Sequence, residues 1–188
     1  MLLSDVVFQP EDPAHDLEIN EINAEAFGPA RFTRAAHCIR EGGPHERAFS
    51  FVALHGGKVV ASVRLTRIMA GEGRGLLLGP LAVRPVYKST VSGKRLVRVS
   101  VEAAREAGSG VVLLVGDEPY YGPLGFRQVP RGQLLMPRPV NPSRLLACEL
   151  TEGALSALQG MVMHAAAAAH SHAASTLAAP PGKISRAS

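Results

Sequence analysis

Apolar and polar positions along the chain follow a period that changes from segment to segment, and the changes mark out the elements. Residues 5–9 form a short β-rich run ended by Pro10. Over residues 13–27, Leu17, Ile22, Ala26 and Phe27 recur as one face of a helix does, and Gly28-Pro29 stop it. A second helix is predicted over residues 32–40, ended by Gly42-Gly43. Two β-rich runs, 49–54 and 58–69, flank His55-Gly56-Gly57, which signals a hairpin. In the second run Val59, Ala61, Val63 and Leu65 share one face, and Ser62, Arg64 and Thr66 the other. That alternation predicts a sheet with unequal faces. A Gly-rich turn over 70–75 leads into a strand over 76–83. The helix predicted over 93–107 turns Leu96, Val97, Ser100, Ala103, Ala104 and Ala107 inward and stops at Gly108. The apolar run 111–115 reads as a buried strand. A short turn or helix at 118–124 follows, then strands at 126–129 and 144–150 on either side of a Pro-rich crossing segment, 130–142.

This order mixes antiparallel hairpins with a strand–helix–strand unit, which places the chain in the α/β (α+β) class. One domain is expected over residues 1–160. From about His164 the composition becomes Ala-, Ser- and Pro-rich without an acidic residue, so 161–188 is expected to be a disordered tail. His164, His170 and His172 are assigned to that low-complexity stretch, and no metal site is predicted.

Composition narrows the class. The chain has 188 residues, 46% of them apolar, enough for one core. No apolar run is long enough to span a bilayer. The first twelve residues carry Asp5, Glu11 and Asp12 and lack a basic n-region, so they do not read as a signal peptide. Cys38 and Cys148 lie far apart without metal-type spacing and read as separate thiols in a reducing cytosol. A cytoplasmic protein without a membrane partner is expected. The net charge of +4 raises a nucleic-acid-binding module. Against it, no Lys/Arg run is interleaved with aromatics, Trp is absent, and no nucleic-acid partner is predicted.

Basic residues gather instead at Lys88, Lys94, Arg95 and Arg98, beside the segment that carries chemistry. The strand over 76–83 runs through Arg84-Pro85 into Lys88-Ser89-Thr90-Val91-Ser92-Gly93, which opens a helix. Such a junction points main-chain N–H groups and the positive end of the helix dipole at an anion. Ser89, Thr90 and Ser92 add hydroxyl donors, and Gly93 permits a close approach or a positive φ. On these residues alone the segment is either a phosphate cradle or an ordinary strand-to-helix loop. A tyrosine pair, Tyr120-Tyr121, follows downstream.

The pattern resembles the acetyl-CoA-binding motif of the GNAT superfamily of N-acetyltransferases, in which a strand ending in Val-x-Pro leads to Gln/Arg-x-x-Gly-x-Gly/Ala. Val83-Arg84-Pro85 and Gly93 match; Lys88 stands for the first Gln/Arg and Val91 for the first glycine. With valine there, either the loop takes another path or the side chain crowds the pyrophosphate. A second motif of the family, Tyr-x-x-x-Gly-Phe, is present at Tyr121-Gly122-Pro123-Leu124-Gly125-Phe126. The wider pattern, with residues 26–42 and the Pro-rich ending, resembles a bacterial subgroup, the YhbS-type N-acetyltransferases.

The resemblance implies a mixed, mostly antiparallel sheet flanked by helices and splayed at the acetyl-CoA site. It implies acetyl-CoA as co-substrate, held by Leu81, Ala82, Val83, Lys88, Ser89, Thr90, Val91, Ser92, Gly93 and Lys94. A backbone N–H near Leu81 to Val83 would stabilise an oxyanion, and Tyr121 would be the general acid for the departing thiolate. The acid that many members carry on the preceding strand is absent, which leaves Asp117 or Glu118 as base or as turn-capping residues. The acceptor would be a small amine or a protein amino group, met by the two N-terminal helices and the Pro-rich segment. A non-catalytic CoA-binding domain is the alternative, and a homodimer is left open.

Overall fold

The computed structural model describes residues 5–88 and 91–168. The N-terminal strand β1 (Val6–Pro10) leads to Asp12, which caps a 3-10 turn at Pro13–His15 by accepting the Ala14 N–H at 2.8 Å. Helix α1 (Asp16–Phe27) follows and buries Ile19 and Ile22, while Leu17 faces solvent. The second predicted helix divides. Pro29–Thr33 is a 3-10 turn, Arg34 is extended, and α2 begins only at Ala35 (Ala35–Arg40). The remaining elements are β2 (Phe51–His55), β3 (Lys58–Ala70), β4 (Gly73–Val83), α3 (Gly93–Glu106), β5 (Val111–Val115), α4 (Glu118–Tyr121), β6 (Arg127–Gln128), β7 (Leu134–Leu135), β8 (Leu145–Glu149), β9 (Gly160–Met161) and β10 (Met163–His164).

The main sheet runs β1-β2-β3-β4-β5-β8-β6, with β10 beside the far end of β3. Its pairings are antiparallel except β4 with β5, the two strands that α3 connects. This is the mixed, mostly antiparallel sheet flanked by helices that the sequence implies. Leu96, Val97, Val101 and Ala104 of α3 pack on Val63, Leu65, Leu76 and Leu78. On the other face Ile19 and Ile22 meet Val52, Val59 and Ala82, while Ile39 meets Ile68, Leu77 and Leu113.

Three expectations change. First, β3 is buried on both faces, because helices cover both. Ser62 and Thr66 lie inside, and an extra residue opposite Ala53/Leu54 moves Val59 to the α1 side, away from Ala61. Second, Val101 takes the inward place on α3, and Ala107, at the end of the helix, is exposed. Third, ordered structure runs past residue 160. Met163 and His164 pair with Met69 and Ile68, and the His164 ring is buried against Gly42-Gly43, with Nε2 3.0 Å from the Pro44 carbonyl oxygen. His170 and His172 lie outside the described residues.

Candidate functional site

Strands β4 and β5 pair only at Leu76↔Val112 and Leu77↔Leu113. Beyond that point they part, because β4 carries a bulge: Leu65 faces Leu78, Val63 faces Leu81, and Gly79-Pro80 stand opposite Arg64 alone. Leu78 and Leu81 therefore fall on the same face. The Arg84 N–H donates to the Val60 carbonyl at 2.9 Å, which fixes the phase of the ladder with β3. The alternation of an antiparallel ladder then turns the amide groups of Leu81 and Val83 away from β3, toward the opening. A cavity of about 1310 Å³ lies there. Asn20, Asn23 and Phe27 of α1, Arg40 of α2, the bulge, and Val115 to Asp117 frame it, and Pro139 to Asn141 of the Pro-rich segment close one side.

Of the residues the sequence singles out, Leu81, Lys88 and Tyr121 line this cavity, and so does Tyr120. Ala82 turns its side chain into the α1 core, and Val83 packs toward α3. Ser89 and Thr90 lie outside the described residues. Of the two alternatives left at Val91, the structure fits the first, a different path. Its side chain is buried among the core residues beneath α3 rather than crowding a ligand, and its N–H donates to the Tyr87 carbonyl at 2.7 Å. That amide is engaged within the protein. Ser92 caps α3 without a side-chain hydrogen bond to the first turn. The amides at Gly93 and Lys94 thus open the helix at its positive end. Gly93 has no positive φ, so close approach is what requires glycine there. A methyl at Gly93 would lie 2.8 Å from the Tyr120 hydroxyl oxygen, and Lys94 Nζ sits 5.1 Å from the Tyr120 ring centre. Tyr120 thereby joins the helix start to the cavity wall.

Tyr121 owes its position to the rest of its motif. Gly125 adopts φ +92°, a left-handed turn that only glycine enters without strain, and it returns the chain so that Phe126 is fully buried. The Tyr121 ring packs edge-on against Phe126 with centres 5.9 Å apart, and edge-on against Tyr120 at 4.8 Å. Its other side lies on Gly116, where a methyl would come within 2.3 Å of Cε2. Burial, together with Tyr120 and Asp117, pushes the Tyr121 phenol up to about 12, so it is protonated at neutral pH. Asp117 reaches the cavity wall, where it pairs with Arg144 at 3.0 Å. Glu118 does not line the cavity; it accepts from Gln128 at 2.7 Å.

Sequence reasoning missed the polar floor on the α1 and α2 side. Glu11, with a fully buried carboxylate, accepts hydrogen bonds from Arg47 (2.7 Å) and twice from Arg64 (both 2.8 Å), and its Oε1 lies 2.7 Å from His45 Nε2. Burial alone would raise its pKa; the hydrogen bonds from His45 and Arg64 outweigh that and hold the carboxyl below its ordinary value. Asp16 adds a second acceptor for Arg47 and Arg64. These partners lie 31 to 53 residues apart, so no local pattern announces them. Arg40, at the end of α2, points its guanidinium at the bulge. A methyl on Gly79 would sit 3.9 Å from Arg40 Nη1. Among the described residues, no group of His, Cys, Asp and Glu is placed to hold a metal ion, and no helix is long and apolar enough to cross a membrane.

A model of the acetyltransferase (GNAT) family matches residues 17–126. The chain is 31% identical over 130 residues to the uncharacterized N-acetyltransferase YjhQ of Escherichia coli K12, a match spanning 67% of this chain and 72% of that protein. Among solved structures, the GNAT family N-acetyltransferase YhbS from Escherichia coli in complex with CoA superposes with a TM-score of 0.71 at 22% identity, covering 85% of this chain and 89% of that one. A GNAT family acetyltransferase from Brucella melitensis in complex with acetyl-CoA gives 0.54 at 23%, covering 79% and 97%. The ribosomal-protein-S18-alanine N-acetyltransferase of Escherichia coli gives 0.55 at 14%, covering 79% and 96%.

Proposed function

The chain belongs to the GNAT acetyltransferase family, and from that premise we propose that it moves an acetyl group from acetyl-CoA to a primary amine by direct attack on the thioester. One observation carries the reading: the free edge of β4 at Leu81, Lys88, and the Tyr121 phenol all border one cavity where β4 and β5 separate. Acetyl-CoA fits the groups present. The unpaired edge of β4 offers amides for the pantetheine arm, which would add to it as an extended strand. The start of α3, with Lys88 and Lys94, offers N–H groups and positive charge for the phosphates.

A neutral amine nitrogen attacks the thioester carbon and an N–C bond forms. The carbonyl oxygen becomes an oxyanion, which an amide at Leu81 or Val83 is turned to meet. The C–S bond then breaks and sulfur takes a proton. A phenol held at about 12 is a weaker acid than a thiol of ~8.5. Tyr121 therefore delivers a proton to sulfur as it regains one from the ammonium formed at nitrogen. In sum, the proton lost by the amine ends on sulfur. With Asp117 paired to Arg144 and Glu118 outside the cavity, the substrate enters as the free amine.

The alternative, a CoA-binding domain without catalysis, drew its support from Val91 and from the missing acid on the strand before the loop. The Val91 side chain lies in the core, so it gives no reason to expect a defective cradle, and the missing acid is what continues to favour the alternative. Calorimetry with acetyl-CoA, followed by thiol release in the presence of amines, tests the proposal. Binding with amine-dependent release supports it; binding without release in any amine favours the alternative; absence of binding overturns both.

A further inference from the structure

Six cationic side chains line the cavity, Arg31, Arg34, Arg40, Arg64, Lys88 and Arg144, against two carboxylates, Glu41 and Asp117. Most of the positive charge is accounted for. Arg64 is neutralised by Glu11 and Asp16, and Arg144 by Asp117. Arg31 donates to the Gly28 carbonyl and lies over the Phe32 ring; Arg34 lies over Phe27. Lys88 stands on the side of the proposed CoA phosphates. Glu41 is turned to His37.

Arg40 is different. It is half-buried, and among the described residues no hydrogen bond or ion pair engages its guanidinium. Its nearest charged influences are Arg34 and Arg64, both of its own sign. Burial first, and these neighbours second, lower its pKa to about 10, which leaves it charged at neutral pH. A charge withdrawn from water without a partner costs stability, so a site that keeps one is built for a partner that arrives. Position says which partner. The guanidinium reaches over Gly79, at the bulge where the thioester would lie. It comes from α2, across the sheet from α3, where the CoA phosphates would be held.

Resting on the acetyltransferase reading, we propose that the acceptor is an amine that also bears an anionic group, a carboxylate or a phosphate, and that Arg40 binds that group. The planar guanidinium presents paired N–H donors to either anion. Anchoring the acid at Arg40, one residue-length from the bulge, leaves the amine end of a short molecule free to face the thioester. Arg34, beside it, adds to the attraction without touching the reacting atoms.

The experiment compares matched acceptors in the presence of acetyl-CoA: 4-aminobutyrate with butylamine, and phosphoethanolamine with ethanolamine. Each pair is tested in the wild type, Arg40→Gln and Arg40→Lys, by thiol release and by calorimetric binding to the CoA-loaded protein. The wild type should prefer at least one acid over its neutral partner by about tenfold or more, as a charge-assisted hydrogen bond supplies. The preferred pair identifies carboxylate or phosphate. Arg40→Gln should raise KM for the acid much more than for the neutral amine and so erase the preference; Arg40→Lys should restore part of it. Because Arg40→Gln removes a buried unpaired charge, its melting temperature should equal or exceed that of the wild type, so loss of binding is not loss of folding. Equal use of acid and neutral partners, a preference that survives Arg40→Gln, or a fall in kcat of the same size for every acceptor overturns the inference. Failure to bind acetyl-CoA at all overturns instead the reading on which it rests.

Discussion

Two buried ionisable residues are shifted in opposite directions, Tyr121 upward by burial and Glu11 downward by hydrogen bonds that outweigh its burial, and each predicts a pH behaviour. Tyr121 is a phenol with its pKa raised to about 12, so it remains a proton donor throughout the physiological range. The rate of acetyl transfer should rise with pH as the acceptor loses its proton, and no falling limb should come from Tyr121 between pH 7 and 10. A descending limb near pH 9, absent in Tyr121→Phe, would contradict that assignment. Glu11 has its pKa lowered, so its stabilising contribution is complete above the ordinary carboxyl value and is lost as pH falls through the lowered one. Glu11→Gln leaves Arg64 without the carboxylate that it meets at two points and should cost about 3 kcal/mol in urea unfolding at pH 7. The gap between variant and wild type should close in acid. A constant gap down to pH 2 would mean that the carboxylate charge is not what matters.

At the scale of elements, glycines and core residues decide whether the phenol and the cradle are where chemistry needs them. Gly116 follows β5 against the Tyr121 ring, so a side chain there must displace the ring. Gly116→Ala should lower kcat at least tenfold, by about 1.4 kcal/mol or more in barrier, with little change in acetyl-CoA affinity. Val91 was the position of doubt in the sequence, and its burial reverses the test. Val91→Gly removes core methyl groups and should destabilise by about 2–3 kcal/mol without tightening acetyl-CoA binding. Tighter binding in that variant would return the side chain to the ligand site. Calorimetry and denaturant unfolding on the same preparations separate the two outcomes.

Across the whole molecule, what was legible in the sequence follows from what is local. The Gly-Gly hairpin, the helix after the loop and the Tyr-x-x-x-Gly-Phe segment each rest on contacts a few residues apart. Turn chemistry and periodicity encode those directly. The β4–β5 splay follows from a bulge at Gly79-Pro80 that the apolar run does not announce. The Glu11–Arg64 bonds and the unengaged Arg40 exist only once β1, α2 and β3 have come together. Val59 was assigned to the wrong face because one extra residue in β3 reverses the alternation. His164 looked like tail by composition, yet a two-residue strand is too short to leave a pattern. Sequence therefore located the tyrosine motif and the loop before α3, and the assembled sheet revealed the charged groups around Arg40 and Arg64.

The central claim is that this cavity passes an acetyl group from acetyl-CoA to an amine with Tyr121 as the proton donor to sulfur. The most direct measurement is CoA thiol release at pH 8 over a panel of amines, with the acetylated product weighed by mass spectrometry, for the wild type and Tyr121→Phe. The account predicts amine-dependent release by the wild type, and a fall in kcat of about 100-fold in Tyr121→Phe with acetyl-CoA affinity retained. Wild-type rates in Tyr121→Phe, or bound acetyl-CoA that no amine can discharge, would contradict it.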